Sequence, residues 1–138
     1  MAVSIPDKYM DLLTEPVVVS FATMMPDGQP QVTPVWVGWD GEHVLVNTAK
    51  GRQKDENVRR NPKVNVMALD PENPYRYLEI RGQVDEVTEE GALDHIDQLA
   101  KEYQGADSYY GGVTPAELRD KETRVIIKIA PTDVHGHG

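Results

Sequence analysis

The chain has 138 residues, carries 14 Lys and Arg against 23 Asp and Glu for a net charge of −9, and contains no cysteine. That length is expected to form one domain with a real core. The acidic balance argues against binding a nucleic-acid backbone, and the absent thiols exclude disulfides, thiolate zinc sites, iron–sulfur clusters and a cysteine nucleophile. No apolar run approaches the ~20 residues of a membrane span. The opening MAVSIPDKYMDLL lacks the basic start and apolar stretch of a secretory signal, so a cytoplasmic location is expected.

Residues 6–14 predict a short helix, with Pro6 in its first turn and Tyr9, Leu12 and Leu13 at i, i+3, i+4. The β-branched run 16–25 predicts a buried strand, closed by a turn at Asp27-Gly28. Residues 30–39 predict a second strand. Pro34 inside it lacks a ladder donor, which places the strand at an edge or a bulge. After Asp40-Gly41, residues 43–48 read as a third strand. The second half of 50–62 reads as a helix ended by Asn61-Pro62.

Strands follow at 64–70 and 76–87, the latter alternating in character with a bulge expected at Gly82. Residues 89–103 give the clearest helix, with Ala92, Ile96, Leu99 and Tyr103 on one face. Thr114 and Glu117 have capping-box spacing for another short helix. The last strand is 124–129, with Val125, Ile127 and Ile129 inward and Arg124 and Lys128 outward. Residues 131–138, ending HGHG, read as a flexible tail. Six hairpin-linked strands with peripheral helices define a mainly β chain, best drawn as a small antiparallel barrel spanning residues 1–138.

Nucleotide-binding glycine motifs, a zinc-protease motif and a nucleophile elbow are all missing. His135 and His137 are too few to hold a metal firmly, and no acid–base pair stands out. The segment 50–60 is different, because it sets five cations against two carboxylates in an acidic chain. Asp55–Arg59 and Glu56–Arg60 have helix ion-pair spacing, which suits a solvated helix. Lys50, Arg52 and Lys54 have no such local partners and precede a helix start, which suits an anion site. Pro34 and Trp36 could let a flat ring approach the backbone of an edge strand. Tyr75, Tyr77, Tyr109 and Tyr110 fit either a pocket wall or a subunit contact.

The run PVVVSFATMMPDGQPQVTPVWVGWDGEHVLVNTAKGRQKDENVRRNPKVNVMALD, followed by YLEIRGQVDEV, resembles the pyridoxamine 5′-phosphate oxidase-like flavin split-barrel family. Within it, the chain is most similar to the small deazaflavin-dependent reductases that use coenzyme F420. The resemblance implies a split barrel, a homodimer and a cofactor in a groove at the dimer interface. It implies ring contacts at Gln31, Thr33, Pro34 and Val35, with Asn47 and Thr48 at the end of the third strand. It implies phosphate ligands at Arg52 and Lys54, supported by Lys50, Gln53 and Asn57, and a partner contribution near Tyr75 and Tyr77.

The implied activity is hydride transfer from reduced F420 to a quinone, enone or tetrapyrrole. FMN is the alternative cofactor, and cofactor storage without turnover is the alternative role. The C-terminal IAPTDVHGHG lacks the arginine-rich segment of true pyridoxamine phosphate oxidases, which argues against vitamin B6 oxidation.

Overall fold

The computed structural model describes residues 3–138. Seven antiparallel strands form one curled sheet: β1 Val19–Met24, β2 Pro30–Val35, β3 Val37–Trp39, β4 Val44–Ala49, β5 Lys63–Leu69, β6 Tyr77–Thr88 and β7 Arg124–His137. Three α-helices accompany them, α1 Asp11–Thr14, α2 Gln53–Arg60 and α3 Ala92–Gln104, with 3-10 turns at Asp7–Tyr9 and Ala116–Asp120.

The strand order is β2-β1-β5-β6-β7-β4-β3. β2 and β3, separated in sequence by Trp36 alone, therefore lie at opposite edges. The sheet must curl until its edges approach, and the barrel stays split there. This is the split barrel that the sequence predicts, with one more strand. The predicted strand 30–39 divides because the chain leaves one edge and joins the other at Trp36. β2 carries two prolines, which cannot donate to a further strand and so suit an edge.

Alternation explains the core. Val64, Val66 and Ala68 of β5 point inward, as do Leu78 and Ile80 of β6 and Ile127 and Ile129 of β7. Tyr9, Leu12 and Leu13 plug one end, although the predicted helix at 6–14 is split between a 3-10 turn and one α-turn. The bulge at Gly82 is present, and a Cβ there would lie 2.5 Å from Ile129 Cγ2.

Three expectations are corrected. Residues 131–137 are no tail: they extend β7 along β6, pairing Pro131 with Gly82 and His137 with Tyr77. Gly136 packs so closely on the Tyr9 ring that a side chain would overlap it. Thr114 does not cap a helix. The turn that follows is 3-10, and no side chain among the described residues caps it. Arg124 does not face solvent, being 5% exposed. The face of β7 opposite the core is covered by α3, so both of its faces are buried over Arg124–Ile127.

The Tyr103 hydroxyl of α3 spans the split. It accepts from the Val37 amide at 3.1 Å and lies 2.9 Å from the Val17 carbonyl, to which it donates. Its ring stacks on Trp36 at 5.4 Å. Tyr103→Phe should therefore leave an edge amide unsatisfied and cost about 1–3 kcal/mol in urea unfolding, with the denaturant slope unchanged.

Candidate functional site

A cavity of about 390 Å³ opens at the split. Val18, Pro34, Val35 and Trp36 form the wall on the β1–β2 side. Asn47 and Thr48 from the end of β4, and Arg52 and Lys54 from the entrance to α2, face them. Ile96 and Leu99 of α3, Tyr109 and Val113 of the segment before β7, and Arg124 complete the lining.

The basic loop takes its shape from a tight turn at Gly51, whose φ of 91° favours glycine. Asp55 reaches back to accept the Gly51 amide at 2.9 Å and pairs with Arg59 at 2.9 Å, as its spacing predicts. Arg60 instead donates to the Met24 carbonyl and to Asn57 Oδ1, which replaces the expected pairing with Glu56. Arg52 occupies the N-cap position without a capping hydrogen bond. The first-turn amides of Gln53, Lys54 and Asp55 have no hydrogen-bond partner among the described residues, which leaves the helix start free to receive an anion.

The cations divide by environment. Lys50 pairs with Glu89 at 3.1 Å, outside the cavity lining. Arg52, with its side chain half exposed, pairs with Glu122 at 3.0 Å. Lys54 is half-buried and has no ion-pair partner among the described residues. Burial, followed by the nearby Arg52 and Arg124 charges, holds its ammonium below the usual lysine range. Arg124 donates from Nε to Asn47 Oδ1 at 2.9 Å and lies 5.0 Å over the Tyr109 ring. The Thr48 hydroxyl is buried without a hydrogen-bond partner among the described residues. An unpaired hydroxyl and an unpaired ammonium in one cavity are the groups that an oxyanion would satisfy.

Behind the cavity, Arg124 fixes the orientation of the Asn47 amide. Asn47 Nδ2 then donates to the Ala92 carbonyl at 2.9 Å and to His95 Nδ1 at 3.0 Å. His95 therefore carries its proton on Nε2. Burial, reinforced by the Arg124 charge, lowers its pKa to about 4, so the ring is neutral near pH 7.

Six of the thirteen predicted site residues line this cavity: Pro34, Val35, Asn47, Thr48, Arg52 and Lys54. Gln31 and Thr33 alternate with the exposed Val32 and Pro34 on β2. Gln31 accepts from Thr23 at 3.3 Å. Asn57 is fully buried and ties α2 to β1 through Thr23 at 3.0 Å, while Gln53 donates to Asn57 at 2.8 Å. Tyr75 and Tyr77 lie at the β5–β6 hairpin, where Tyr75 is 78% exposed and Tyr77 stacks on His137. Trp36 and Tyr109 were legible as unusual aromatics. Arg124, Ile96 and Leu99 were not, because an alternating strand and an amphipathic helix do not reveal what covers their second faces.

The pyridoxamine 5′-phosphate oxidase family model matches residues 5–138. No curated protein matches the chain. A solved F420 reductase is 38% identical, with a TM-score of 0.80 over 95% of this chain and 98% of its own. A conserved hypothetical protein from Mycobacterium tuberculosis is 25% identical, with a TM-score of 0.75 over 99% of this chain and 86% of its own. The haem storage protein HutZ from Vibrio cholerae shares the fold at 15% identity, with a TM-score of 0.67 over 99% of this chain and 96% of its own. The chain belongs to the pyridoxamine 5′-phosphate oxidase family, on the branch that holds the F420 reductase.

The neutral His95 yields a pH signature. Its folded pKa of about 4 lies below the ordinary value of 6.5, so the unfolded chain takes up the proton first as pH falls between those values. Stability should therefore drop on acidification through that window, by about 2 kcal/mol from pH 7 to pH 5 at about 1.4 kcal/mol per unit. Urea unfolding at both pH values should show a smaller drop for His95→Gln.

Proposed function

We propose that this protein is an oxidoreductase that transfers a hydride from reduced coenzyme F420 to an electrophilic organic acceptor of the quinone, enone or tetrapyrrole type. Lys54 carries the reading: a half-buried ammonium without a carboxylate partner among the described residues, in a cavity shared with Arg52 and an unpaired Thr48 hydroxyl. The F420 reductase match over nearly the full length of both chains supports it.

F420 fits the donor set, since its phosphate would meet Arg52, Lys54 and the open amides of α2. When bound, the deazaflavin supplies a hydride from its ring carbon. This chain orients it. Gln31, Thr33, Pro34 and Val35 offer an edge strand for a flat ring, and Asn47 and Thr48 offer polar groups at the end of β4. Asn57 and Gln53 brace α2 from behind, and Lys50 adds positive charge to the loop. Trp36 and Tyr109, 6.2 Å apart and edge-on, add an aromatic wall to the cavity.

The working unit in this reading is a homodimer. Val18, Val32, Met67 and Leu69 are exposed on the outer face of β2-β1-β5, and the register places Tyr77 opposite Leu69 on the same face. Val18 and Pro34 also line the cavity, so a second copy covering this face would meet the cofactor. Tyr75 and Tyr77 would then come from that copy.

Three measurements test the reading. In fluorescence titrations Arg52→Ala should weaken F420 binding by about tenfold and Lys54→Ala somewhat less, with high salt weakening the wild type. Tighter FMN binding with no F420 response would move the reading to FMN. F420 binding without hydride transfer in a single turnover would leave a storage role. Light scattering should give twice the chain mass, and Val32→Glu with Met67→Glu should produce monomers that bind F420 less tightly.

A further inference from the structure

The Glu122 carboxylate sits where the cations converge. Its Oε2 accepts from Arg52 at 3.0 Å, and its Oε1 accepts from the Tyr110 hydroxyl at 2.7 Å and lies 3.5 Å from Arg124 Nη1. The loop carrying it is fixed to the basic loop, because the Lys50 amide donates to the Thr123 carbonyl at 2.7 Å. The Arg124 side chain is 3% exposed, and this long contact is its single carboxylate partner among the described residues. Its Nη2 makes no hydrogen bond to the described residues. A guanidinium withdrawn from water that holds one neutral acceptor, Asn47, and one loose carboxylate contact has its charge only partly compensated, and an anion with more oxygens would serve it better.

We propose that Arg52 and Arg124 form one anion clamp, that Glu122 occupies it in the free protein, and that the phosphate ester of the cofactor takes its place. This rests on the F420 reading and adds two residues to it: Arg124 as a cation of the phosphate site, and Glu122 as the competitor that the ligand displaces. The shared chemistry explains the exchange. Both groups are oxyanions that accept from guanidinium N–H donors, and a phosphate offers an additional oxygen for Lys54 and the Thr48 hydroxyl. Tyr110 can remain on Glu122 after the exchange, so the segment before β7 keeps its anchor.

F420 binding to the full-length protein, followed by fluorescence, tests this, with inorganic pyrophosphate titrated by calorimetry as a ring-free probe. Glu122→Gln keeps an acceptor for Tyr110 while removing the competing charge. It should tighten both ligands by about fivefold, the upper range for a partly exposed ion pair. Glu56→Gln removes an equal charge from the exposed side of α2 and should change affinity by less than about twofold, as a surface charge distant from the clamp would. Arg124→Gln should weaken both ligands by about tenfold and abolish the gain from Glu122→Gln in the double variant, because the two act on one anion. Unchanged or weaker binding in Glu122→Gln would overturn the exchange, as would an equal gain from Glu56→Gln. If Arg52→Ala weakens F420 but Glu122→Gln does not tighten it, this inference alone fails. If Arg52→Ala has no effect, the phosphate reading fails with it.

Discussion

The change of edge at Trp36 governs this molecule. One residue separates the last strand on one edge of the sheet from the first on the other. A seven-stranded sheet whose edges are tied so closely cannot lie flat. It curls around Phe21, Val46, Val66, Ile80 and Ile127 and leaves a seam where no ladder forms. Tyr103 bridges the seam through one hydroxyl that bonds to both sides, and Trp36 stacks against its ring. The cavity lies along this seam, so the feature that shapes the barrel also leaves room for a ligand.

Charge placement follows from the same geometry. An acidic chain brings Arg52 and Lys54 from one loop and Arg124 from the start of β7 to one cavity. Glu122 offsets part of that charge, while Lys54 remains without a carboxylate among the described residues. Concentrated positive charge beside a helix start whose first-turn amides have no partner among the described residues favours an oxyanion. Surface cations such as Lys50 and Arg59 instead have acidic neighbours close at hand.

Much of the architecture was legible because periodicity reports burial directly. Alternation in 64–70 and 76–87 and the helical face of 89–103 each reflect one apolar side meeting one core. Pro34 marked an edge because proline cannot donate. The extension of the last strand beyond residue 129 was hidden, since Pro131, Asp133 and the glycine–histidine repeat have little strand preference. They form β7 because β6 offers an adjacent ladder and Tyr9 packs on Gly136. Residues 30–39 read as one strand because a change of partner leaves no mark on composition.

The sequence by itself determined the class of fold, the edge character of the second strand and the basic island with Arg52 and Lys54, since these depend on local pattern and charge. Only the tertiary structure decided that Arg124 faces a cavity, that Glu122 lies between two arginines and that His95 is held neutral. Each of those depends on what covers a second face: α3 over β7, the 105–123 segment over the seam, Asn47 between strand and helix. Burial on that side is set by long-range contacts, and the electrostatic state of a side chain follows from its burial and partners.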